Sequence, residues 1–190
     1  CATERQYSWQ ILNRRIALKE LAISGAEFNP SIRDRKRLAF LRDLLLGNRW
    51  LVDTLIDNCE DVVVADTLPA LVAKMNALQG DNAVDLEALG EAVSRYDAQV
   101  ALGPDRFEDE QLKRLALLRQ WKGDRIRTCN LQKIHDRKAL PLIAIREFII
   151  SRKSLGGIQT DLSSRVLDRG GQPIAGLYAA GESAGFGGGG

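Results

Sequence analysis

Residues 151–190 constrain the fold more than any other part of the chain, because they are written in strand-and-turn language yet are too few to enclose a core. In "LGGIQTDLSSRVLDRGGQPIAGLYAAGE" the short alternating runs "IQTDL", "RVLD" and "IAGLYA" are separated by Gly156-Gly157, "DRGGQP" and Gly181. Such a segment is expected to join a larger sheet whose other strands lie elsewhere.

Residues 1–150 read instead as helices. In "RDRKRLAFLRDLLLGNRW" Leu38, Leu41, Leu45 and Leu46 recur at helical spacing and are expected to face inward. Arg35, Lys36, Arg42 and Asp43 fall largely on the other face, and Gly47 ends the helix. After the β-branched run Val62, Val63 and Val64, Thr67 is placed to cap a helix with Pro69 in its first turn. Its stripe is Leu68, Leu71, Val72, Met75 and Leu78, and Gly80 stops it. Asp85 is the expected cap of the next helix, with Leu86, Leu89, Val93, Tyr96 and Val100 inward. A fourth helix is expected from Glu108 to Trp121, with Gly123 as its end. Trp9, Trp50 and Trp121 read as core anchors. The expected fold class is α+β, with a predominantly helical domain over 1–150 and a short β segment over 151–190.

A net charge of +2 over 190 residues argues against a nucleic-acid module. No apolar run approaches the ~20 residues that span a bilayer. Cys1, Cys59 and Cys129 show neither disulfide nor zinc spacing, so no metal is expected and a reducing cytoplasm is the simplest setting. Starting at Cys1 rather than Met, the chain is expected to be a piece of a longer one.

"IAGLYAAGESAG" carries the chemistry. A buried strand over Ile174–Ala180 that runs into Gly181, Glu182 and small residues is how open α/β sheets receive phosphates, ribose hydroxyls and flavin edges. A hairpin with glycines has the same pattern.

"RKSLGGIQTDLSSRVLDRGGQPIAGLYAAGESAGFGGGG" resembles the C-terminal flavin-contacting segment of the fumarate reductase and succinate dehydrogenase flavoprotein superfamily, most closely its ketosteroid-dehydrogenase-like branch of FAD-binding dehydrogenases. Two motifs carry the resemblance in the family's order: Ser154, Leu155, Gly156 and Gly157, then Ile174 to Glu182. "ADTLPALVAKMNALQG", "SRYDAQVALGPDRF" and "IREFIISRKSLGG" are similar to the family's cap domain. The resemblance implies that residues 1–150 are a substrate cap and that 151–190 return into an FAD-binding α/β domain mostly absent from this chain. The N-terminal Gly-x-Gly-x-x-Gly dinucleotide turn that the family requires of that domain is absent from this chain. FAD is the implied cofactor. The N-terminal FAD domain of the same polypeptide and a small-molecule substrate are the implied partners, and a homo-oligomer stays open.

By the same resemblance, Ser154, Leu155, Gly156 and Gly157 approach the flavin, where a side chain on either glycine would collide. Gly181 and Glu182 meet the ribityl or its linker, and Ser183, Ala184 and the residues after them lead toward the pyrimidine edge. A simple hairpin turn at Gly156-Gly157 and a solvated acid at Glu182 are the alternatives. Where fumarate reductases carry a substrate-binding His, this chain has Arg152, which puts dicarboxylate chemistry in doubt. Arg152 is the catalytic candidate, able to hold a carboxylate or polarise a carbonyl, or else a structural ion-pair partner. His135 beside Asp136 invites an acid-base reading. Tyr96 and Tyr178 are candidate acids that sit on apolar stripes. The run Arg33, Arg35, Lys36 and Arg37 reads as a solvated helix face.

The implied function is hydride transfer between flavin and a carbon adjacent to a carbonyl or carboxylate, with this piece inactive alone. The competing reading is a free-standing helical interaction module with a Gly-rich tail. An exposed strand edge such as "IAGLYAAG" speaks against the latter, since natural proteins mask such edges.

Overall fold

The computed structural model describes residues 7–24, 29–127, 130–148 and 156–185. The chain divides into two compact units, residues 1–147 and 148–190.

The first unit opens with β1 (Tyr7–Asn13) and α1 (Arg14–Glu20). The short α2 (Pro30–Arg33), α3 (Arg37–Leu46) and α4 (Arg49–Asn58) follow. Next come β2 (Val62–Ala65), α5 (Leu68–Gln79), α6 (Leu86–Leu102), α7 (Glu110–Leu118) and α8 (Lys122–Arg127). The last strand is β3 (Leu142–Phe148). The strands form a three-stranded sheet in the order β1-β3-β2, with β2 antiparallel to β3 and Val63 opposite Ala144.

One core packs Leu12, Ile16, Ala17, Val52 and Ile143. The other packs Ala65, Leu71, Met75, Leu142 and Ala144, with Trp9 and Leu68 half-buried against it. Helix boundaries follow local chemistry. Thr67 caps α5 by accepting from Ala70 N at 3.4 Å, and Gly80 closes it in the left-handed conformation at φ 76°. Asp85 caps α6 by accepting from Ala88 N at 2.7 Å.

Asn13 links strand to helix. It is fully buried; its side-chain oxygen accepts from Ile16 N at 3.0 Å, and Nδ2 donates to the carbonyls of Lys133 and Ile134 at 2.9 and 3.0 Å. One side chain thus ends β1, starts α1 and ties down the distant 130–136 loop.

Several expectations are corrected. The leucine stripe of α3 faces solvent: Leu38 is 86% exposed, and Leu41, Leu45 and Leu46 are exposed with it. Asp43, expected outside, is buried and paired with Arg42 at 2.8 Å. The reason lies in the polar contacts of the neighbouring turn. Lys19 Nζ donates to the Leu44 carbonyl, and Asn48 N donates to the Leu18 carbonyl at 2.9 Å. A Cβ on Gly47 would lie 2.8 Å from Leu18 O, so the backbones touch there. These bonds fix which side of α3 meets α1, and the leucines take what remains.

Trp50 and Trp121 are exposed rather than core anchors, and Leu86 is exposed on α6. The helix expected over 108–121 stops at Leu118, and Gly123 lies inside α8 rather than ending the preceding helix. β2 falls on the β-branched run Val62, Val63 and Val64, whereas β1 and β3 lie in a region read as helical. β1 and β3 carry apolar runs whose strand character depends on the sheet around them.

The second unit contains β4 (Arg165–Leu167) antiparallel to β5 (Pro173–Tyr178), with Arg165 opposite Tyr178 and Leu167 opposite Pro173. "IQTDL" contributes an isolated bridge from Thr160 to Val166 rather than a full strand. Val166 is the buried apolar residue among the described residues of this unit, while every residue of β5 is exposed. The expectation of a buried strand over Ile174–Ala180, and of Tyr178 on an apolar stripe in a core, is corrected accordingly.

Candidate functional site

The second unit is shaped by two aspartates. Asp161 accepts from the backbone N–H groups of Ser163 at 2.9 Å and Arg165 at 3.0 Å, and its carboxylate pairs with the Arg165 guanidinium at 2.6 Å. The Arg165 side chain, then these backbone donors, hold Asp161 below the usual carboxylate range. Asp168 accepts from Gly170 N at 2.8 Å and Gln172 N at 2.9 Å, which closes the "DRGGQ" turn between β4 and β5.

β5 then delivers the chain to Gly181 at φ 63°, a short 3-10 turn over Gly181–Ala184, and Gly185 at φ 91°. The residues before β4 come back to meet it. Ile158 N donates to the Ser183 carbonyl at 2.9 Å, and a Cβ on Gly157 would stand 2.5 Å from Gly185 Cα and 2.6 Å from the Ala184 carbonyl carbon. The two glycine motifs, 24 residues apart from Gly157 to Gly181, therefore converge on one small patch of backbone.

That contact changes the reason for one glycine. Gly157 lacks room for a side chain because the backbone of Ala184 and Gly185 fills the place. Gly185, one of the conformationally permissive glycines of the "ESAGFGGGG" run, forms the other half of this contact. Gly181 differs: nothing lies within 4 Å of where its Cβ would be, and the same holds for Gly176. Glu182 and Ser183 are exposed, Ala184 is half-buried, and no side chain caps the Gly181–Ala184 turn. Arg152, Ser154 and Leu155 lie outside the described residues, as do Cys1, Cys129 and residues 186–190.

Open space beside Gly176 and Gly181, a turn that no side chain caps, and the exposed apolar side chains Leu177 and Tyr178 leave room and apolar surface for a flavin.

The other candidates fall in the first unit. His135 is exposed, and its backbone N–H donates to Asp97 at 2.9 Å. Asp136 is engaged with the Lys138 backbone N–H at 2.8 Å and Arg15 at 2.8 Å, and these hold its carboxyl below the usual range. Both partners differ from His135. Tyr96 is half-buried and lines an open cleft of about 700 Å³ between α6 and α7, beside Arg95, Gln99, Asp109 and Leu115. Among the described residues no group of His, Cys, Asp or Glu is arranged to hold a metal, and no helix is long and apolar enough to cross a membrane.

Residues 9–190 match the FAD binding domain family. The chain is 43% identical over 187 residues to a KsdD-like steroid dehydrogenase of Mycobacterium tuberculosis (strain ATCC 25618 / H37Rv), covering 97% of this chain and 32% of the relative. It is 42% identical over 192 residues to a KsdD-like steroid dehydrogenase of Mycolicibacterium smegmatis, covering 100% of this chain and 35% of that relative. The chain thus spans about a third of the length of the curated relatives it matches. Among solved structures, the open conformation of a flavocytochrome c3 fumarate reductase covers 98% of this chain and 23% of its own, at 18% identity and a TM-score of 0.40. That likeness is too loose to add to the family match. The chain belongs to the FAD binding domain family, and FAD is the cofactor this membership indicates.

Proposed function

We propose that this chain supplies the substrate cap, residues 1–150, and part of the flavin site, residues 151–190, of an FAD-dependent dehydrogenase or reductase acting on a carbon–carbon bond next to a carbonyl. The observation that carries this reading is the convergence of Gly156-Gly157 on the turn from Gly181 to Gly185. When bound, FAD supplies the hydride-accepting chemistry. The chain's own part is to bind and orient. Gly181, Glu182, Ser183 and Ala184 would hold the cofactor through backbone N–H groups and the Glu182 carboxylate, while Gly156 and Gly157 support that turn from behind. By the resemblance Ser154 and Leu155 would also contact the flavin, and Arg152 would hold the carbonyl or carboxylate oxygen of the substrate against developing negative charge.

The partners on this reading are a further FAD-binding portion of the same polypeptide and a small, largely apolar substrate. Identity of 43% to KsdD-like steroid dehydrogenases favours a steroid ketone over a dicarboxylate, in agreement with Arg152 standing in the place of the fumarate reductases' histidine. The test is anaerobic mixing of the full-length, flavin-loaded polypeptide with candidate reductants. A saturated steroid ketone should bleach the visible flavin band and succinate should leave it unchanged. Bleaching by succinate, or by neither, contradicts the proposal.

A further inference from the structure

The exposed leucines of α3 need an occupant. Leu38, Leu41 and Leu45 recur at three- and four-residue intervals on one outward face, Leu46 widens it, and Trp50 continues it at the start of α4; all are about half exposed or more. Apolar surface of this kind marks an interaction site.

The charge around the leucines indicates what covers them. Over residues 33–49 the sequence holds six basic residues and two acidic ones. Asp34 is taken by Arg33 and Lys36, at 2.7 and 3.0 Å, and Asp43 by Arg42. Asp34 is held at about 2, first by the Arg33 hydrogen bond and then by Lys36. Arg35, Arg37 and Arg49 are exposed and have no carboxylate partner among the described residues. A leucine face edged by a tryptophan and three uncompensated arginines has the composition of a surface that lies on an anionic bilayer. A second copy fits less well, since a two-fold contact through this face would gather the basic residues of both copies around the leucines while Asp34 and Asp43 are already paired within each.

We propose that α3 with Trp50 is a peripheral docking face for an anionic lipid bilayer, its leucines entering the acyl boundary and Arg35, Arg37 and Arg49 meeting the headgroups. The proposal stands apart from the flavin reading, and its test uses no activity.

The full-length polypeptide is sedimented with vesicles of phosphatidylcholine alone and of phosphatidylcholine mixed with phosphatidylglycerol, at low and high salt. Binding is expected to the mixed vesicles, to weaken with salt, and to be far lower on the neutral ones. Replacing Arg35, Arg37 and Arg49 together by Gln should weaken partitioning on the order of a hundredfold, about fivefold per charge. Leu41→Ser with Leu45→Ser should abolish it while leaving the far-ultraviolet dichroism unchanged. No binding to the mixed vesicles, equal binding to both kinds, or binding untouched by either variant set overturns the proposal. So does a dimer in solution that the Leu→Ser variant dissolves, which would assign the face to a second copy, or a marked loss of stability of the full-length polypeptide in that variant, which would assign it to the rest of the same polypeptide.

Discussion

Gly157 and Gly185 lie backbone against backbone: a Cβ on Gly157 would stand 2.5 Å from Gly185 Cα, and one on Gly185 would stand 3.1 Å from Gly157 N. Gly157→Ala must therefore push the 181–185 turn outward. We predict a cost of about 1–3 kcal/mol, the usual penalty for an added carbon in packed surroundings. Amide exchange at Ile158, whose N–H donates to Ser183 O, should accelerate more than exchange in the first unit.

Asn13 is the polar centre of the first unit. Asn13→Ala removes the cap on Ile16 N and the donors to the carbonyls of Lys133 and Ile134, all in buried surroundings. A loss of about 2–4 kcal/mol is expected, visible in denaturant unfolding. Asn13→Asp keeps the cap acceptor but sets a carboxylate against those two carbonyls, so it should not restore the loss.

The Asp161 carboxyl is held low by Arg165 and by backbone donors. Its folded value lies below its unfolded one, so its contribution is present above the ordinary carboxylate range near ~4 and is lost as pH falls through the lower folded value. Carbon-13 titration should place the Asp161 midpoint below those of exposed aspartates. In Arg165→Ala the midpoint should move up.

On α3 the buried and exposed faces are reversed relative to the leucine pattern, which separates two substitutions that hydropathy alone would rank together. Leu41→Ser should change stability within about 0.5 kcal/mol, as for an exposed site. Leu71→Ala, fully buried on α5, should cost about 2–5 kcal/mol. Equal losses in thermal unfolding would mean that α3 buries its leucines after all.

These residues show what can be read from sequence. Thr67, Gly80, Asp85 and Gly47 were legible because caps and helix stops depend on a few neighbouring residues. The face of α3 was not, because a Lys19 bond to the Leu44 carbonyl and the close approach of Gly47 to Leu18 outweigh leucine periodicity. β1 is not legible because "YSWQILN" takes its strand form from pairing within the sheet. At the candidate site both glycine motifs were legible, but their contact was not. The close approach of Gly157 to Gly185 is set by the turn at Asp168 and the Asp161–Arg165 pair, which bring distant residues together.

The central claim, that the turn at Gly181 forms part of an FAD site, is tested most directly by flavin titration of the full-length polypeptide and its Gly181→Val variant. Valine at φ 63° is strained and fills the open space beside the turn. The wild type should bind FAD stoichiometrically, and the variant should bind at least about tenfold more weakly with its secondary structure intact. A wild type that binds no flavin, or a variant that binds it equally well, would contradict the account.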